Sequence, residues 1–117
     1  MKKQMAKTFD LADYRTYPGA KVFSGRPRGE TVRQQMGLDR LDEQQEDVTI
    51  KIPEDTYSFN MSFFLGLCTE SVRRRGRDWF TAHYHFVGPE VHLEELPDYV
   101  EQAVKQSSVL HSALARK

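Results

Sequence analysis

Periodic apolar positions predict the three clearest elements of the chain. The segment VTIKIP alternates Val48, Ile50 and Ile52 with polar residues and closes with a proline, which is typical of a half-buried strand. Helical spacing follows in NMSFFLGLCTESVRRRG, where Gly76 supplies a C-terminal stop. A last amphipathic helix is predicted over residues 97–115, because it opens with a proline, which is favoured at a first helical position.

Weaker patterns predict the remaining elements. The turn signal Tyr17-Pro18-Gly19 separates two apolar pairs, which fits two short strands joined by a turn. Residues 30–36 fit a helix, since the glycines and the proline before them disfavour regular structure, and LDEQQED after them is interpreted as a solvated acidic connector. DWFTAHYHFVG alternates apolar and polar residues over positions 79–86, which predicts a strand with a large apolar face.

The order of these elements predicts one α/β domain over residues 1–117, a small sandwich with helices packed on a mixed central sheet of about four strands. Residues 1–8 are expected to be a frayed start. The predicted core consists of Val48, Ile50, Ile52, Phe64, Leu67, Phe80, Tyr84, Phe86, Val100 and Val104. The apolar stripe of the last helix would serve for packing on its own domain or on a second copy, so a homodimer stays open.

Composition narrows the class of protein. Charged residues make up 29% and apolar residues 38%, which indicates a globular chain and not a disordered one. The formal net charge is zero, whereas general binders of nucleic acid or membrane surfaces need a basic surplus. A single cysteine, Cys68, excludes an internal disulfide. Since no apolar run reaches the roughly 20 residues of a membrane span, we expect a soluble, cytoplasmic protein.

The segment TYSFNMSFFLGL places a hydroxyl group, that of Ser62, at the start of a predicted helix. Asn60 or Ser62 would serve as the N-cap by accepting a backbone N–H bond that is otherwise unmet. A helix N-terminus also favours a phosphate, because its dipole and free N–H groups stabilise negative charge. A phosphoserine at position 62 would add about two negative charges beside Phe63 and Phe64, enough to reverse a docking preference.

These segments together resemble the STAS (sulfate transporter and anti-sigma factor antagonist) domain, particularly its small stand-alone bacterial forms. VTIKIP, TYSFNMSFFLGLCTESVRRRG and WFTAHYHFVG are similar to the family's central strand, its loop and following helix, and its next strand. The family's loop carries Asp-Ser-Ser-Gly-Leu, and Asn60-Met61-Ser62-Phe63-Phe64 stands in its place, with asparagine for the aspartate and Phe63 for the glycine. VFSGRPRGETVRQQ resembles an upstream motif of the STAS-like branch, so the resemblance covers roughly residues 20–88.

The resemblance implies a non-enzymatic regulatory module that works as an anti-sigma factor antagonist. In the regulatory members the partner is a kinase-type anti-sigma factor, and phosphorylation of the loop serine releases it. Ser62 is then the phosphorylation candidate, and the predicted partner-binding residues around it are Ser58, Asn60, Met61, Phe63 and Phe64. The unmodified loop would bind, and charge and desolvation cost would repel the phosphorylated loop. No cofactor and no metal are expected.

Two groups of arginines favour an alternative, a nucleotide- or nucleic-acid-binding subunit. Arg26 and Arg28 stand among glycines that free the backbone to turn N–H groups toward an anion, which makes them anion-binding candidates. A second group lies near an aromatic ring and consists of Arg73, Arg74, Arg75 and Arg77. The first spacing matches neither the Walker A pattern nor the dinucleotide fingerprint, and the second group also complements the negative end of a helix dipole.

Histidines and the cysteine are weak candidates for a metal or catalytic site. His83 and His85 share one face of the predicted strand, and His92 and Cys68 could join them around zinc, but no third ligand stands at diagnostic spacing. A cysteine inside a helix is usually a buried small hydrophobe, which disfavours a cysteine–histidine pair. An enzyme would need a pocket uniting Ser62, a histidine and an acid from distant segments, so no catalytic site is predicted.

Overall fold

Short parallel strands and three long helices make up much of the chain. The computed structural model describes the backbone of residues 6–115 and the side chains of residues 6–107. The strands are Ala6–Asp10 (β1), Val22–Phe23 (β2), Asp47–Lys51 (β3), Ser58–Phe59 (β4) and Tyr84–Val87 (β5). The helices are Arg26–Met36 (α1), Leu38–Glu43 (α2), Met61–Arg75 (α3), Arg77–His83 (α4), Glu90–Leu93 (α5) and Leu96–Ala115 (α6), with a short 3-10 helix at Leu11–Tyr14. The predicted α/β class is confirmed.

The strands form two small parallel sheets. In the larger sheet β3 lies between β1 and β5, and it is parallel to both. In the smaller sheet β2 pairs with β4, with Val22 opposite Ser58 and Phe23 opposite Phe59. The predicted mixed sheet of about four strands is therefore not what the described residues form. Parallel neighbours need crossover connections, and here helices supply several of them.

The amino-terminal strands are not joined as predicted. A turn does form at Tyr17-Pro18-Gly19, where the Ala20 N–H donates to the Tyr17 carbonyl at 3.0 Å. The two strands on either side of it nevertheless belong to different sheets, β1 with β3 and β2 with β4. Residues 6–8 of the predicted frayed start are part of β1, and residues 1–5 lie outside the described residues.

Two helical segments were predicted as irregular structure. The first is the start of α1 at Arg26, four residues before the predicted start, because Pro27 stands in the first turn, where a missing N–H costs nothing. The second is α2, whose last three residues, 41–43, lie in the predicted acidic connector. Leu41 and Asp42 are buried there, so the polar composition of this segment does not reflect solvation.

The predicted strand over DWFTAHYHFVG is right only in its second half. Residues 77–83 form α4, and β5 begins at Tyr84. Phe80 and Tyr84 are both buried, and their rings stack with centroids 4.6 Å apart. A spacing of four residues places two side chains on the same side of a helix as well as of a strand, so the alternation alone did not separate the two structures.

The central helix α3 carries most of the core. Asn60 caps its start, and Gly76, with φ of 91°, ends it by donating its N–H to the Val72 carbonyl at 2.8 Å. Helices α1 and α6 pack on α3, and α6 does so through the buried Tyr99 and Ala103. The last helix thus packs on its own chain. All predicted core residues are buried, except that Phe86, Val100 and Val104 are half-buried.

Two glycines let α1 and α3 approach until their backbones touch. A Cβ atom on Gly29 would overlap the carbonyl oxygen of Phe63, and one on Gly66 would overlap the carbonyl oxygen of Arg26. Only glycine fits at either position, because any side chain would push the two helices apart. This close packing fixes the two helices against each other along their first turns.

Candidate functional site

The two short strands β2 and β4 bring the starts of two helices close together. Since the strands are parallel, their carboxyl ends lie side by side, and each leads within three residues into a helix, α1 or α3. The Asn60 N–H donates to the Phe23 carbonyl at 3.1 Å, which holds the start of α3 against the end of β2. The amino-terminal ends of two helices therefore meet at this edge.

Ser62 joins the two helix starts through its hydroxyl. Its Oγ accepts a hydrogen bond from the Gly25 N–H at 3.0 Å and donates one to Asn60 Oδ1 at 2.9 Å. The N-cap of α3 is Asn60, whose Oδ1 also accepts from the Phe63 N–H at 3.1 Å. Of the two residues predicted as caps, Asn60 has that role, whereas Ser62 lies in the first turn and is exposed.

Exposed apolar side chains lie around Ser62 along the chain and across the strand pair. Tyr57 is 82% exposed, Val22 44% and Met61 36%. Single exposed apolar residues are common on protein surfaces, but three of them, one in β2, one directly before β4 and one in the first turn of α3, mark a candidate contact region. We call Val22, Tyr57, Ser58, Met61 and Ser62 the α3-start surface.

Two of the predicted partner-binding residues, Phe63 and Phe64, are core residues and cannot form a contact surface. Both are 0% exposed. The Phe63 ring lies 5.7 Å from the ring of Phe23, and the Phe64 ring lies 6.2 Å from that of Phe80. The prediction fails because Phe63 packs against rings of β2 and β4, and Phe64 packs against rings of α4, β5 and α6. The other predicted contacts, Ser58, Asn60 and Met61, retain solvent-accessible surface.

The predicted anion-binding pair, Arg26 and Arg28, does not converge on one point. Arg26 donates from Nη1 to Gln106 Oε1 at 2.9 Å, and its Nε lies 3.6 Å from Glu30. Arg28 donates instead to the Tyr14 carbonyl at 2.7 Å. The Gly25 N–H between the strand and these arginines is already bonded to Ser62. The loop therefore does not present the two guanidinium groups to a common ligand.

The arginines at the end of α3 are held by acids and by an aromatic ring. Arg73 and Arg74 both bond to Glu70, and the pKa of Glu70 is lowered to about 2, first by the hydrogen bond from Arg73 and then by that from Arg74. Arg75 donates to the Asp42 carbonyl at 3.1 Å. Its guanidinium also lies 5.3 Å from the centre of the Trp79 ring. This arrangement supports the structural explanation of the cluster more than a nucleic-acid interface.

A buried polar network joins α1, α2, α3 and β5. Asp42 is 1% exposed and accepts hydrogen bonds from Ser71 Oγ at 2.5 Å, Tyr84 Oη at 2.6 Å and Arg33 Nη2 at 3.1 Å. Burial first, and then the bond to Asp42, raise the pKa of Tyr84 above its ordinary value. Sequence reasoning missed this network because Asp42 stood in a segment interpreted as solvated. The available signal was Arg33 directly after the apolar Val32 on α1.

The histidines and Cys68 do not form a site. His83 ends α4 and its Nδ1 lies 3.0 Å from the Trp79 carbonyl, so it does not share a strand face with the exposed His85. His92 is buried against the Thr56 carbonyl. Burial raises the pKa of the Cys68 thiol far above its ordinary value. Among residues that the structure describes, no group of three potential ligands is placed to hold a metal ion.

None of the helices in the described part of the chain is both long and apolar enough to cross a membrane. Comparison of the chain with family models, curated proteins and solved structures gives no match. The STAS-like resemblance therefore rests on the residues of this chain alone.

Proposed function

We propose that the protein is a non-enzymatic regulatory module of STAS-like type that binds a protein partner through the α3-start surface and releases it when Ser62 is phosphorylated. One observation carries the proposal. The Ser62 hydroxyl is exposed in the first turn of α3, beside the exposed side chain of Met61, in the position that the resemblance gives to the phosphorylated serine.

The α3-start surface suits an interface at which a single added charge would prevent binding. Tyr57 and Met61 offer apolar area to a partner, and burial of such area drives association. A phosphate on Ser62 would bring about two negative charges into the same contact, where a partner would have to remove their hydration shell. Losing that hydration without a matching cation disfavours binding.

Phosphorylation would also change the hydrogen bonds of the site. As a phosphate ester, Ser62 Oγ has no hydrogen to donate, so its present bond to Asn60 Oδ1 would be lost. The phosphate oxygens would instead face the amino-terminal ends of α1 and α3, which favour negative charge. The phosphorylated state is thus compatible with the fold, and the surface around residue 62 gains negative charge.

The order of elements around the site supports the STAS-like proposal. β3 is followed by the β4 segment, the capped start of α3, a helix that ends at Gly76, the short helix α4, and then β5 in the same sheet as β3. The resemblance implies a kinase-type anti-sigma factor as the partner. The resemblance would also place the protein in the bacterial cytoplasm as an anti-sigma factor antagonist.

The proposal is tested by affinity capture from the native cell extract with quantitative mass spectrometry. The baits are the wild type, Ser62→Asp, Met61→Lys and the control Thr81→Asp, which adds the same charge at an exposed hydroxyl on α4. We expect one protein partner with the wild type and the control. Its recovery should fall by about tenfold with the two α3-start variants, since a charge opposite an apolar contact costs more than about 1.4 kcal/mol. Equal recovery with all four baits would refute the proposal.

A further inference from the structure

A polar cleft opens between α1 and α3, and none of its lining residues belongs to the α3-start surface. Its volume is about 270 Å³, and it contains a group of arginines that the sequence keeps apart: Arg26, Arg33, Arg73 and Arg74. In the sequence, Arg26 belongs to one candidate anion site and the α3 arginines to another. The helix packing brings them to the same cavity, without Arg28.

Thr69 gives the cleft a polar group that the protein itself leaves unused. This residue lines the cleft, it is 5% exposed, and its Oγ1 has no hydrogen-bond partner within the described part of the chain. Buried hydroxyl groups are nearly always bonded, because leaving one unpaired is costly. Gly66, one turn earlier on the same helix, also lines the cleft and contributes no side chain that would fill it.

The N–H donors that the acids leave unused favour an anion in the cleft. Four guanidinium groups line it against three carboxylates, those of Glu30, Asp39 and Glu70. Each guanidinium carries five N–H donors, and the acids occupy only some of them. Arg74 bonds to Glu70 through Nε at 2.8 Å, which leaves its two terminal nitrogens for a ligand. Arg33 offers few donors to a ligand, since Asp39 and Asp42 engage it and balance its charge.

We propose that this cleft binds the phosphate group of a small molecule. Thr69 Oγ1, Arg26 Nη2 and the terminal nitrogens of Arg74 would donate to different phosphate oxygens, because the three groups come from two helices that both line the cleft. Arginine suits phosphate, whose oxygens accept its paired N–H donors. The volume fits a phosphate with a small organic group. The site uses no residue of the α3-start surface, so it can be tested without phosphorylation of Ser62.

The test is an NMR titration of the whole ¹⁵N-labelled protein with inorganic phosphate and with ribose 5-phosphate at constant ionic strength. We expect saturable shifts of the backbone amides of residues 66–74, with a dissociation constant in the millimolar range or below. Thr69→Val keeps the side-chain shape, and Arg74→Gln removes one charge. Each should weaken binding about tenfold, the effect of one hydrogen bond to a charged group. The control Arg40→Gln, at an exposed arginine of α2 outside the cleft, should leave binding unchanged.

The outcomes separate the possible ligands. Equal affinity for both probes assigns the cleft to free phosphate, and tighter binding of ribose 5-phosphate assigns it to a phosphorylated small molecule. Absence of saturable shifts, shifts confined to other residues, or an equal loss with Arg40→Gln would overturn the proposal. Thr69→Val removes only an unpaired buried hydroxyl, so we expect it to fold, and its amide spectrum without ligand shows whether it does.

Discussion

The Gly25 N–H donates to Ser62 Oγ at 3.0 Å, and this hydrogen bond ties the start of α1 to the start of α3. Gly25 has φ of 92°, a backbone conformation that glycine adopts without strain. The residue that we propose as the phosphorylation site is therefore also a structural link between the two helices that carry much of the core. A substitution of Ser62 therefore also changes the stability of the fold. This change must be measured separately from the effect on partner binding.

Removing the Ser62 hydroxyl should destabilise the fold slightly and leave partner binding intact. Ser62→Ala deletes the bonds to Gly25 and Asn60, which are exposed, so we expect a loss of about 0.5–1.5 kcal/mol in the free energy of unfolding. Urea denaturation measures this loss. Ser24→Ala, at an exposed serine just before Gly25, serves as a control and should change stability by less than about 0.5 kcal/mol.

Gly66→Ala should destabilise the protein although alanine is the better helix former. In an isolated helix the change would stabilise by about 1 kcal/mol. Here the new methyl group would overlap the Arg26 carbonyl oxygen, so we expect a net loss of about 2 kcal/mol or more. Gln35→Ala, at an exposed position of α1, should be within about 0.5 kcal/mol of the wild type. A stabilised Gly66→Ala protein would show that α1 and α3 do not pack this closely.

Asp42→Asn should be among the most destabilising changes of a polar residue in this chain. Asp42 accepts from three buried donors, and an amide nitrogen would face at least one of them while Arg33 lost its buried counter-charge. Breaking a buried pair in this way costs about 3–5 kcal/mol. Thermal unfolding of this variant can be compared with that of Glu43→Gln, the exposed neighbour on α2. Similar melting temperatures for the two variants would contradict the network.

The contribution of Glu70 to stability should disappear in acid. Its pKa is about 2 in the folded protein against 4.5 for an ordinary glutamate, because Arg73 and then Arg74 hydrogen-bond to it. A lowered pKa stabilises the fold above the unfolded-state value and ceases to do so as the pH falls through the folded-state value. Glu70→Gln should thus be less stable than the wild type at neutral pH, by less than about 1 kcal/mol for so exposed a pair. Urea denaturation down to about pH 2 should show this difference closing.

Strong local patterns made β3, α3 and α6 predictable. β3 has β-branched residues in strict alternation, and α3 lies between a capping asparagine at position 60 and a glycine stop at position 76. The prediction for the segment around Phe80 and Tyr84 failed because its residue spacing is compatible with a helix as well as with a strand. The prediction of a solvated segment around Asp42 also failed. The burial of Asp42 depends on Arg33, Ser71 and Tyr84, which are distant in sequence.

The candidate site was only partly predictable for the same reason. A hydroxyl near the start of α3 follows from local sequence, and the structure places Ser62 there. Its bond to Gly25 depends on the parallel pairing of β2 with β4, which no local pattern reports. The burial of Phe63 and Phe64 depends on aromatic rings of β2, α4 and α6, which are distant in sequence. The cleft with Thr69 likewise exists only once α1 and α3 are packed.

The central claim is that a phosphate on Ser62 and a bound partner exclude each other. The most direct measurement separates the protein from its native cells into partner-bound and free pools by gel filtration, then quantifies phosphate at Ser62 in each pool by mass spectrometry. We expect the phosphate in the free pool and an unmodified Ser62 in the bound pool. Equal phosphate occupancy in the two pools, or a Ser62 that carries no phosphate in either, would contradict the claim.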